Sequence, residues 1–279
     1  MSHIHWYPGH IAKAEKALRE KLSLVDVVLE VLDARIPISS SYGDTTRLIG
    51  QKRRIILLNK CDLSDENENP KWKKYIEEKT GAICLLTSNS SSKDTNLIIN
   101  KILETAKPIH EKMAQKGLLP RAIRVMVIGM PNVGKSSTIN RLIKRGKTKT
   151  GAKAGVTRQQ QWVRVHDKIE LLDTPGIIPS RQEDQKAILK LASVNSIGEK
   201  AYDNEHTARE LLKILVKKYE EILRKYYNLG QDDVTIENIA LSRNWLVKDG
   251  KPDVTRCSQF ILLNFRDGKI GKITLDDLE

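Results

Sequence analysis

Short apolar runs recur along the first two thirds of the chain, and each one ends in polar or glycine-containing residues. They are rich in Val, Ile and Leu, which is typical of strands buried on both faces of a parallel sheet. The clearest runs cover residues 25–32, 55–58, 82–86 and 125–128. We therefore expect these residues to form strands of one buried, mainly parallel sheet.

Segments between these runs place apolar residues at intervals of three and four, as amphipathic helices do. They cover residues 10–22, 72–79, 94–106 and 136–144. Residues 107–121 contain Pro108, Gly117 and Pro120, and are expected to form a connector. The alternation of strands and helices predicts an α/β fold, a doubly wound sheet with helices on both of its faces.

The last third of the chain has a different pattern. Two alternating runs at 161–166 and 168–172 predict a hairpin that turns at His166 and Asp167. From about residue 196 the spacing becomes helical, with a strongly amphipathic segment at 207–227 and shorter helical segments at 235–244 and 255–265. We therefore predict two domains, a doubly wound domain at 1–195 and a small, mainly helical domain at 196–279.

Composition narrows the class of partner. The 279 residues include 48 Lys and Arg against 35 Asp and Glu, a net charge of +13. This balance favours a polyanion such as RNA, although a basic surface that serves only solubility is the alternative. Three widely separated cysteines predict neither a disulfide framework nor a zinc site and fit a reducing cytoplasm. The absence of a signal-peptide or membrane-spanning run predicts a soluble, unprocessed protein without a membrane partner.

The strongest chemical signal follows the apolar run at 125–128. Residues 129–137 read G-M-P-N-V-G-K-S-S and fit the phosphate-loop pattern G-x-x-x-x-G-K-[ST] between a predicted strand and a predicted helix. The residues expected to bind phosphate are Asn132, Val133, Gly134, Lys135, Ser136 and Ser137. Backbone N–H groups and the helix N-terminus would cradle phosphates, Lys135 would reach the β- and γ-phosphates, and Ser136 would ligate Mg²⁺. A plain glycine-rich turn is the alternative.

A second motif, Asn59-Lys60-Cys61-Asp62, directly follows the run at 55–58. An ionised Asp62 can accept hydrogen bonds from N1–H and the 2-amino group of guanine, whereas adenine offers neither donor. Asn59 would brace neighbouring loops, and the stem of Lys60 would lie along the base. In the loop after the third run, Thr87-Ser88-Asn89, a backbone N–H is expected to meet the guanine O6. Alone, the four-residue motif would suit a surface turn, but beside a phosphate loop it predicts a guanine nucleotide.

A third motif, Asp173-Thr174-Pro175-Gly176, ends the predicted hairpin. In a D-x-x-G motif the Asp173 carboxylate can hold the Mg²⁺ shell, and the Gly176 N–H can approach the γ-phosphate without obstruction by a side chain. The preceding stretch, 141–166, contains basic but no acidic residues. Its Thr157 is a candidate for a hydroxyl that senses Mg²⁺ and the γ-phosphate, and a solvated basic loop is the alternative.

With these motifs in place, the sequence resembles the circularly permuted translation-type GTPases, most closely the RbgA/YlqF group of ribosome-assembly GTPases. In ordinary small GTPases the phosphate loop comes first, but here N-K-x-D and T-S-N precede it. A rotated order is tolerable in a doubly wound sheet because all these loops lie at the carboxyl ends of strands. Further resemblance lies in W-Y-P-G-H at 6–10, D-A-R-I-P at 33–37, G-V-T-R-Q-Q-Q-W at 155–162 and F-R-D-G-K-I-G-K-I-T-L at 265–275.

The resemblance implies a GTPase that uses Mg²⁺ and acts during maturation of the large ribosomal subunit, with a precursor of that subunit as partner. It also implies that His10 activates water, with capping of the first helix as the alternative, and that Asn132 helps to hold K⁺. We expect a monomer that exchanges GTP and GDP and contacts RNA through its helical domain. A nucleotide-dependent RNA-binding scaffold, or a GTPase acting on a protein partner, are the alternative functions, and they predict different activators.

Overall fold

The computed structural model describes residues 16–43, 45–88, 92–150, 162–172, 176–177, 184–198 and 201–278. The strands are β1 (Val27–Asp33), β2 (Arg53–Asn59), β3 (Ile83–Thr87), β4 (Ile123–Gly129), β5 (Trp162–His166), β6 (Ile169–Leu172) and β7 (Gly176–Ile177). Residues 16–22 are the described part of helix α1. The other helices are α2 (Thr45–Ile49), α3 (Asn69–Thr80), α4 (Ser92–Gln115), α5 (Lys135–Thr150), α6 (Gln185–Ser193), α7 (Asn204–Tyr227), α8 (Ile236–Ser242) and α9 (Val254–Arg266).

These strands form a seven-stranded sheet in the order β3-β2-β1-β4-β6-β5, with β7 also paired to β4. Every pair is parallel except β5 and β6, which form the predicted antiparallel hairpin. The carboxyl ends of β1, β2, β3 and β4 therefore lie at one edge of the sheet. This is the edge at which doubly wound folds bind their ligands.

Apolar side chains cover both faces of the sheet. On one face, Leu29 and Val31 of β1 belong to a large cluster that includes Ile98 and Ile102 of α4. On the other face, Val28 packs in a separate cluster with α1 and α2. Successive residues of β1 thus point to opposite faces and are buried on each. The predicted α/β fold with a doubly wound sheet is confirmed.

One predicted connector is a helix. Residues 107–115 belong to α4, which continues through Pro108 to Gln115 instead of ending near residue 106. A proline inside a helix removes one backbone hydrogen bond and costs about 3 kcal/mol. Contacts on the far side of Pro108 offset this cost, because Ile109 packs against the core and His110 Nε2 lies 3.2 Å from the carbonyl oxygen of Arg121.

The carboxyl-terminal third is helical, as the spacing predicts. Helix α7 buries Leu211, Leu215 and Leu223 against α9 and neighbouring elements. The apolar cluster that contains them continues into the sheet, so one core joins the predicted domains. A division at residues 195 and 196 stays a prediction. Within the described ranges, no helix combines the length and apolar character that a bilayer crossing requires.

Candidate functional site

The phosphate loop lies between the end of β4 and the start of α5, as its sequence predicts. Gly129 has φ +149°, and a Cβ atom there would lie 2.5 Å from the carbonyl oxygen of Val31. Gly134 and Asn132 also have positive φ angles, 107° and 57°. Glycine relieves the strain of such backbone at two of these positions, and asparagine tolerates it at the third. The result is a tight cradle at the N-terminus of α5.

Lys135 is the first residue of α5, and its side chain is nearly buried, with 7% of its surface exposed. Its ammonium group donates a hydrogen bond to the carbonyl oxygen of Met130. Burial lowers the pKa of Lys135 from its ordinary value to about 8, because the charged form loses its hydration. An anion such as a phosphate would favour the charged form. Ser136 and Ser137, the next two residues, are exposed.

Asn59 connects three of the predicted motifs. Its side-chain amide donates to the carbonyl oxygen of Val133 in the phosphate loop at 2.8 Å. Its amide oxygen accepts a hydrogen bond from the Thr87 hydroxyl at 3.3 Å. Both Asn59 and Thr87 are fully buried. The phosphate loop, N-K-x-D and T-S-N therefore meet at the carboxyl edge of the sheet, where the Asn59 side chain is hydrogen-bonded to the other two motifs.

Lys60 follows β2 and has φ 61°. Its side chain extends between the end of β1 and the phosphate loop. Its ammonium group donates to Asp33 Oδ2 at 2.8 Å and to the carbonyl oxygen of Asn132 at 2.7 Å. Burial by itself would raise the pKa of Asp33, but the charges of Arg35 and Lys60 outweigh it and hold that pKa well below its usual range. Asp33 is therefore an ionised anchor for two cations.

The remaining predicted residues of the base site lie nearby. Asp62 follows β2 and is exposed, so a ligand can reach its carboxylate. The Ser88 N–H donates to Asp94 Oδ2 at 2.7 Å, and the Arg141 guanidinium of α5 donates to the Ser88 carbonyl oxygen. The Ser88 N–H is thus engaged in this conformation. Asn89, the last residue of this motif, lies outside the described residues.

Part of the γ-phosphate side can be described. Gly176 and Ile177 form β7, in which Gly176 is the register partner of Ile128 and Ile177 that of Gly129. The glycine of D-x-x-G therefore lies beside the start of the phosphate loop. Asp173, Thr157 and His10 lie outside the described residues, so their predicted roles stay predictions.

Two residues without a predicted role, Asp33 and Arg35, lie against this site. Both are buried, and Asp33 pairs with Lys60. Their signal was present in the D-A-R-I-P motif. What was missing was the partner, because nothing in the spacing shows that the end of β1 faces the residue after β2.

Comparisons with known proteins agree with this geometry. Residues 124–237 match the family model "50S ribosome-binding GTPase". Ribosome biogenesis GTPase A of Bacillus cereus is 38% identical over 99% of this chain and 94% of its own length. The Thermotoga maritima protein of the same name is 30% identical over 97% of this chain and 93% of its own.

Solved structures give the same result. The GDP-bound structure of TM YlqF matches with a TM-score of 0.67 and 27% identity, over 93% of this chain and 98% of that one. The GNP-bound YlqF from T. maritima matches with a TM-score of 0.66, over 95% and 97%. The matched family model begins just before the phosphate loop, whereas N-K-x-D lies upstream of it. The chain therefore belongs to the ribosome biogenesis GTPase A family, the RbgA/YlqF group of circularly permuted GTPases.

Proposed function

We propose that this protein binds GTP with Mg²⁺ and hydrolyses it while bound to a precursor of the large ribosomal subunit. The observation that carries this proposal is the meeting of three motifs at Asn59, whose amide contacts both Val133 and Thr87. A phosphate cradle and a guanine-reading motif are thereby joined in one site. Names of the relatives, and the matched 50S-binding family, support the ribosomal partner.

Magnesium fits the phosphate loop. Ser136 is exposed at the N-terminus of α5, where its hydroxyl is open to a ligand. Ser136, with Thr157 and Asp173, would hold the ion. Held there, Mg²⁺ would neutralise charge that develops on the phosphates during transfer. Lys135 binds the β- and γ-phosphates, and the Gly176 N–H orients the γ-phosphate.

Water activation falls to His10 in this proposal. The residue after D-T-P-G is Ile177, which cannot orient water as a glutamine does in Ras-like enzymes. An imidazole accepts a hydrogen bond from water near neutral pH. His10→Ala is expected to leave GTP binding intact and to lower particle-stimulated hydrolysis by about 100-fold or more. Unchanged stimulated turnover would contradict a role of His10 in water activation.

Potassium is a further cofactor in this proposal. The side-chain amide of Asn132 donates to the carbonyl oxygen of Asn195 at 2.6 Å, which fixes the side chain beside the phosphate loop. Its amide oxygen is the atom that would ligate K⁺. Turnover is expected to be faster in K⁺ than in Na⁺ at equal ionic strength, and equal turnover would remove the ion from the proposal.

The ribosomal contact is proposed for the helical part, residues 196–279. A groove of about 950 Å³ lies between α6, α7, α8 and the chain end, and its walls carry Lys186, Lys190, Lys213, Lys217 and Lys218. Acidic residues also line this groove, Glu210, Glu220, Asp233 and Asp277, but basic residues outnumber them. This excess of positive charge suits the phosphates of RNA. We further propose that the protein is cytoplasmic and is a monomer when it is not bound to the particle.

The test is GTP turnover with four additions: precursor large-subunit particles, mature large subunits, ribosomal RNA alone and buffer. We expect precursor particles to raise turnover many-fold over the other three. Activation by RNA alone, or by a protein partner and not by particles, would contradict the proposal. Binding of particles with no rise in turnover would favour a nucleotide-dependent scaffold.

A further inference from the structure

Two motifs of the sequence carry no predicted role in nucleotide binding, D-A-R-I-P at 33–37 and the closing motif at 265–275, and they contact each other. The Arg35 side chain is buried, with 2% of its surface exposed. Its NH1 group donates to the carbonyl oxygen of Arg266 at 3.1 Å, and its Cζ atom lies 5.6 Å from the centre of the Phe265 ring. The Leu275 N–H donates to the carbonyl oxygen of Arg35 at 2.7 Å. Arg35 is thus fixed at the end of α9.

The other side of Arg35 faces the guanine-reading motif. Its Nε and NH2 groups donate to the two oxygens of Asp33 at 2.9 and 2.8 Å. Lys60 donates to the Oδ2 atom of the same carboxylate. One buried carboxylate therefore joins Lys60 to Arg35, and through Arg35 to α9. Bidentate, charge-assisted hydrogen bonds have a fixed geometry. A shift of Arg35 would therefore shift the Asp33 carboxylate and, with it, Lys60.

A second line of contacts reaches the loop that reads guanine, here defined as residues 59–65. The closing segment, residues 267–278, runs along this loop. The Ile273 N–H donates to the carbonyl oxygen of Leu63 at 3.1 Å, and the Asp65 N–H donates to the Thr274 hydroxyl at 3.2 Å. Tyr219 of α7 donates to Asp65 Oδ2 at 3.2 Å. The closing segment and Tyr219 therefore hold the loop that carries Asp62 in place through these hydrogen bonds.

The closing segment and α9 are also tied to α6. Asp276 accepts hydrogen bonds from the N–H groups of Ile38 and Ser39 at 2.8 and 2.9 Å, and from Lys190 of α6 at 2.9 Å. The Arg266 side chain donates to the carbonyl oxygen of Ser193, at the end of α6, at 3.0 Å. The same residue thus binds Arg35 through its carbonyl oxygen and α6 through its side chain.

We infer that Arg35 is a positioning residue that, with the closing segment, holds Lys60 and the guanine-reading loop in place and couples guanine occupancy to the helical part. This inference rests on the proposed function. Guanine is common to GTP and GDP, so this coupling responds to the presence of a nucleotide and not to its γ-phosphate. Because coupling between two sites is reciprocal, a change that loosens the closing segment lowers nucleotide affinity. The factor is the same for GTP and GDP because the contact is with the guanine that they share.

Arg35→Met is the most informative variant. It removes the contacts with Asp33 and the Arg266 carbonyl, but leaves Asp33 and Lys60 as a balanced pair, so no buried charge is stranded. Arg35→Lys keeps the charge and loses the two-pronged geometry. Arg53→Met is the matched control, because Arg53 is exposed and lies at the opposite end of β2 from the site.

In binding experiments on the full chain, Arg35→Met is expected to raise the dissociation constants of GDP and of a non-hydrolysable GTP analogue by one common factor of about tenfold. Arg35→Lys should raise these dissociation constants by a smaller factor, and Arg53→Met should have the dissociation constants of the wild type. Unchanged affinities in Arg35→Met, or a loss confined to the GTP analogue, would overturn the inference.

Hydrogen exchange on the wild-type chain gives a test that needs no variant. Saturating GDP should slow exchange of the Ile273 and Leu275 amides, and the GTP analogue should slow it as well, because a ligand that stabilises the loop lowers the population of locally open states. Nucleotide binding without a change at these amides would overturn the inference and leave the proposed function standing. A wild-type chain that binds no guanine nucleotide would overturn both.

Discussion

The side-chain amide of Asn59 donates a hydrogen bond of 2.8 Å to the carbonyl oxygen of Val133, across a sequence separation of 74 residues. In the chain, the guanine-reading motif precedes the phosphate loop. In the fold, the two lie side by side, because β1 pairs with both β2 and β4 in parallel and the carboxyl ends of these strands share one edge. Rotation of the motif order therefore changes the connections between the loops but not their arrangement around the ligand.

Base selectivity tests the proposed role of Asp62. Asp62→Asn replaces one acceptor oxygen with a donor amide, so guanine loses a partner while xanthine, which has a carbonyl at position 2, gains one. We expect the affinity for GTP to fall by about 100-fold or more and the affinity for xanthosine triphosphate to rise. Titration with both nucleotides measures the change. Glu78→Gln, on the exposed face of α3, is the control, and equal GTP affinity in Asp62→Asn and wild type would exclude Asp62 from the site.

The close packing of the phosphate loop against β1 can be tested through the stability of the fold. Gly129→Ala would place a Cβ atom 2.5 Å from the Val31 carbonyl oxygen at a φ of +149°. We expect a loss of about 3 kcal/mol in the free energy of unfolding, measured with urea, together with weaker nucleotide binding. Gly43→Ala is the matched control, because no heavy atom lies within 4 Å of the added Cβ there. Equal losses in the two variants would contradict the close approach of β1 to the loop.

Sequence periodicity was sufficient for the sheet, and it failed where a tertiary contact decides local structure. Val27–Asp33 and Ile123–Gly129 are apolar except for Glu30, Asp33 and Arg124, and only a sheet covered on both faces can bury such strands. Pro108 predicted the end of a helix, since local propensity disfavours proline there. The packing of Ile109 and the contact between His110 and Arg121 keep that helix intact. A sequence pattern does not contain such contacts in advance.

In the candidate site too, some features could be predicted from the sequence and others could not. The three nucleotide motifs could be read from the sequence because each one carries its chemistry within a few residues. The roles of Asp33 and Arg35 could not, because they depend on Lys60 and Arg266, which lie in other parts of the chain. Glu30 is a similar case, since this fully buried carboxylate pairs with Arg54 of the neighbouring strand. Motifs predict local chemistry, and only the fold shows the partners.

The lowered pKa of Lys135 predicts a pH-dependent affinity. In the nucleotide-free protein this pKa is about 8, whereas bound phosphates favour the charged form and raise it. Nucleotide binding above pH 8 must then take up a proton. We expect the affinity for GDP to fall by about tenfold per pH unit above pH 8, and calorimetry in two buffers of different ionisation enthalpy should detect the proton. In Lys135→Met this proton uptake should vanish, and uptake that persists would assign it to another group.

The same shift has a consequence for folding. The folded pKa lies below the unfolded one, so between about pH 8 and 10.5 the unfolded chain binds more protons at this residue. Stability of the nucleotide-free protein therefore gains a contribution from Lys135 as the pH rises through that window. Saturating GDP should remove this contribution, and urea unfolding at pH 7.5 and 9.5 with and without GDP measures it. The same pH dependence in Lys135→Met would show that other groups cause it.

Nucleotide state is expected to control particle binding through α6. Helix α6 follows D-T-P-G along the chain, and its end is held by Arg266 of α9. A sensor loop that orders around the γ-phosphate can therefore move α6 and, with it, the helical part. This requires different affinities for the particle in the two states. We expect tighter binding to precursor particles with a non-hydrolysable GTP analogue than with GDP, and equal affinity in both states would exclude the coupling.

The particle contact itself is expected to run along α7. Lys213 and Lys217 are exposed on the wall of the groove, whereas Arg224 closes the loop after α7 through the carbonyl oxygens of Gly230 and Asp232. Lys213→Glu combined with Lys217→Glu should weaken particle binding, leave GTP affinity unchanged and reduce the slope of log affinity against log salt by about two, because phosphate contacts release counterions. Lys74→Glu combined with Lys79→Glu changes the net charge equally on the exposed face of α3. The two double variants differ only in which helix carries the changed charges. An equal loss of binding in the α3 control would therefore assign the effect to net charge and not to a contact along α7.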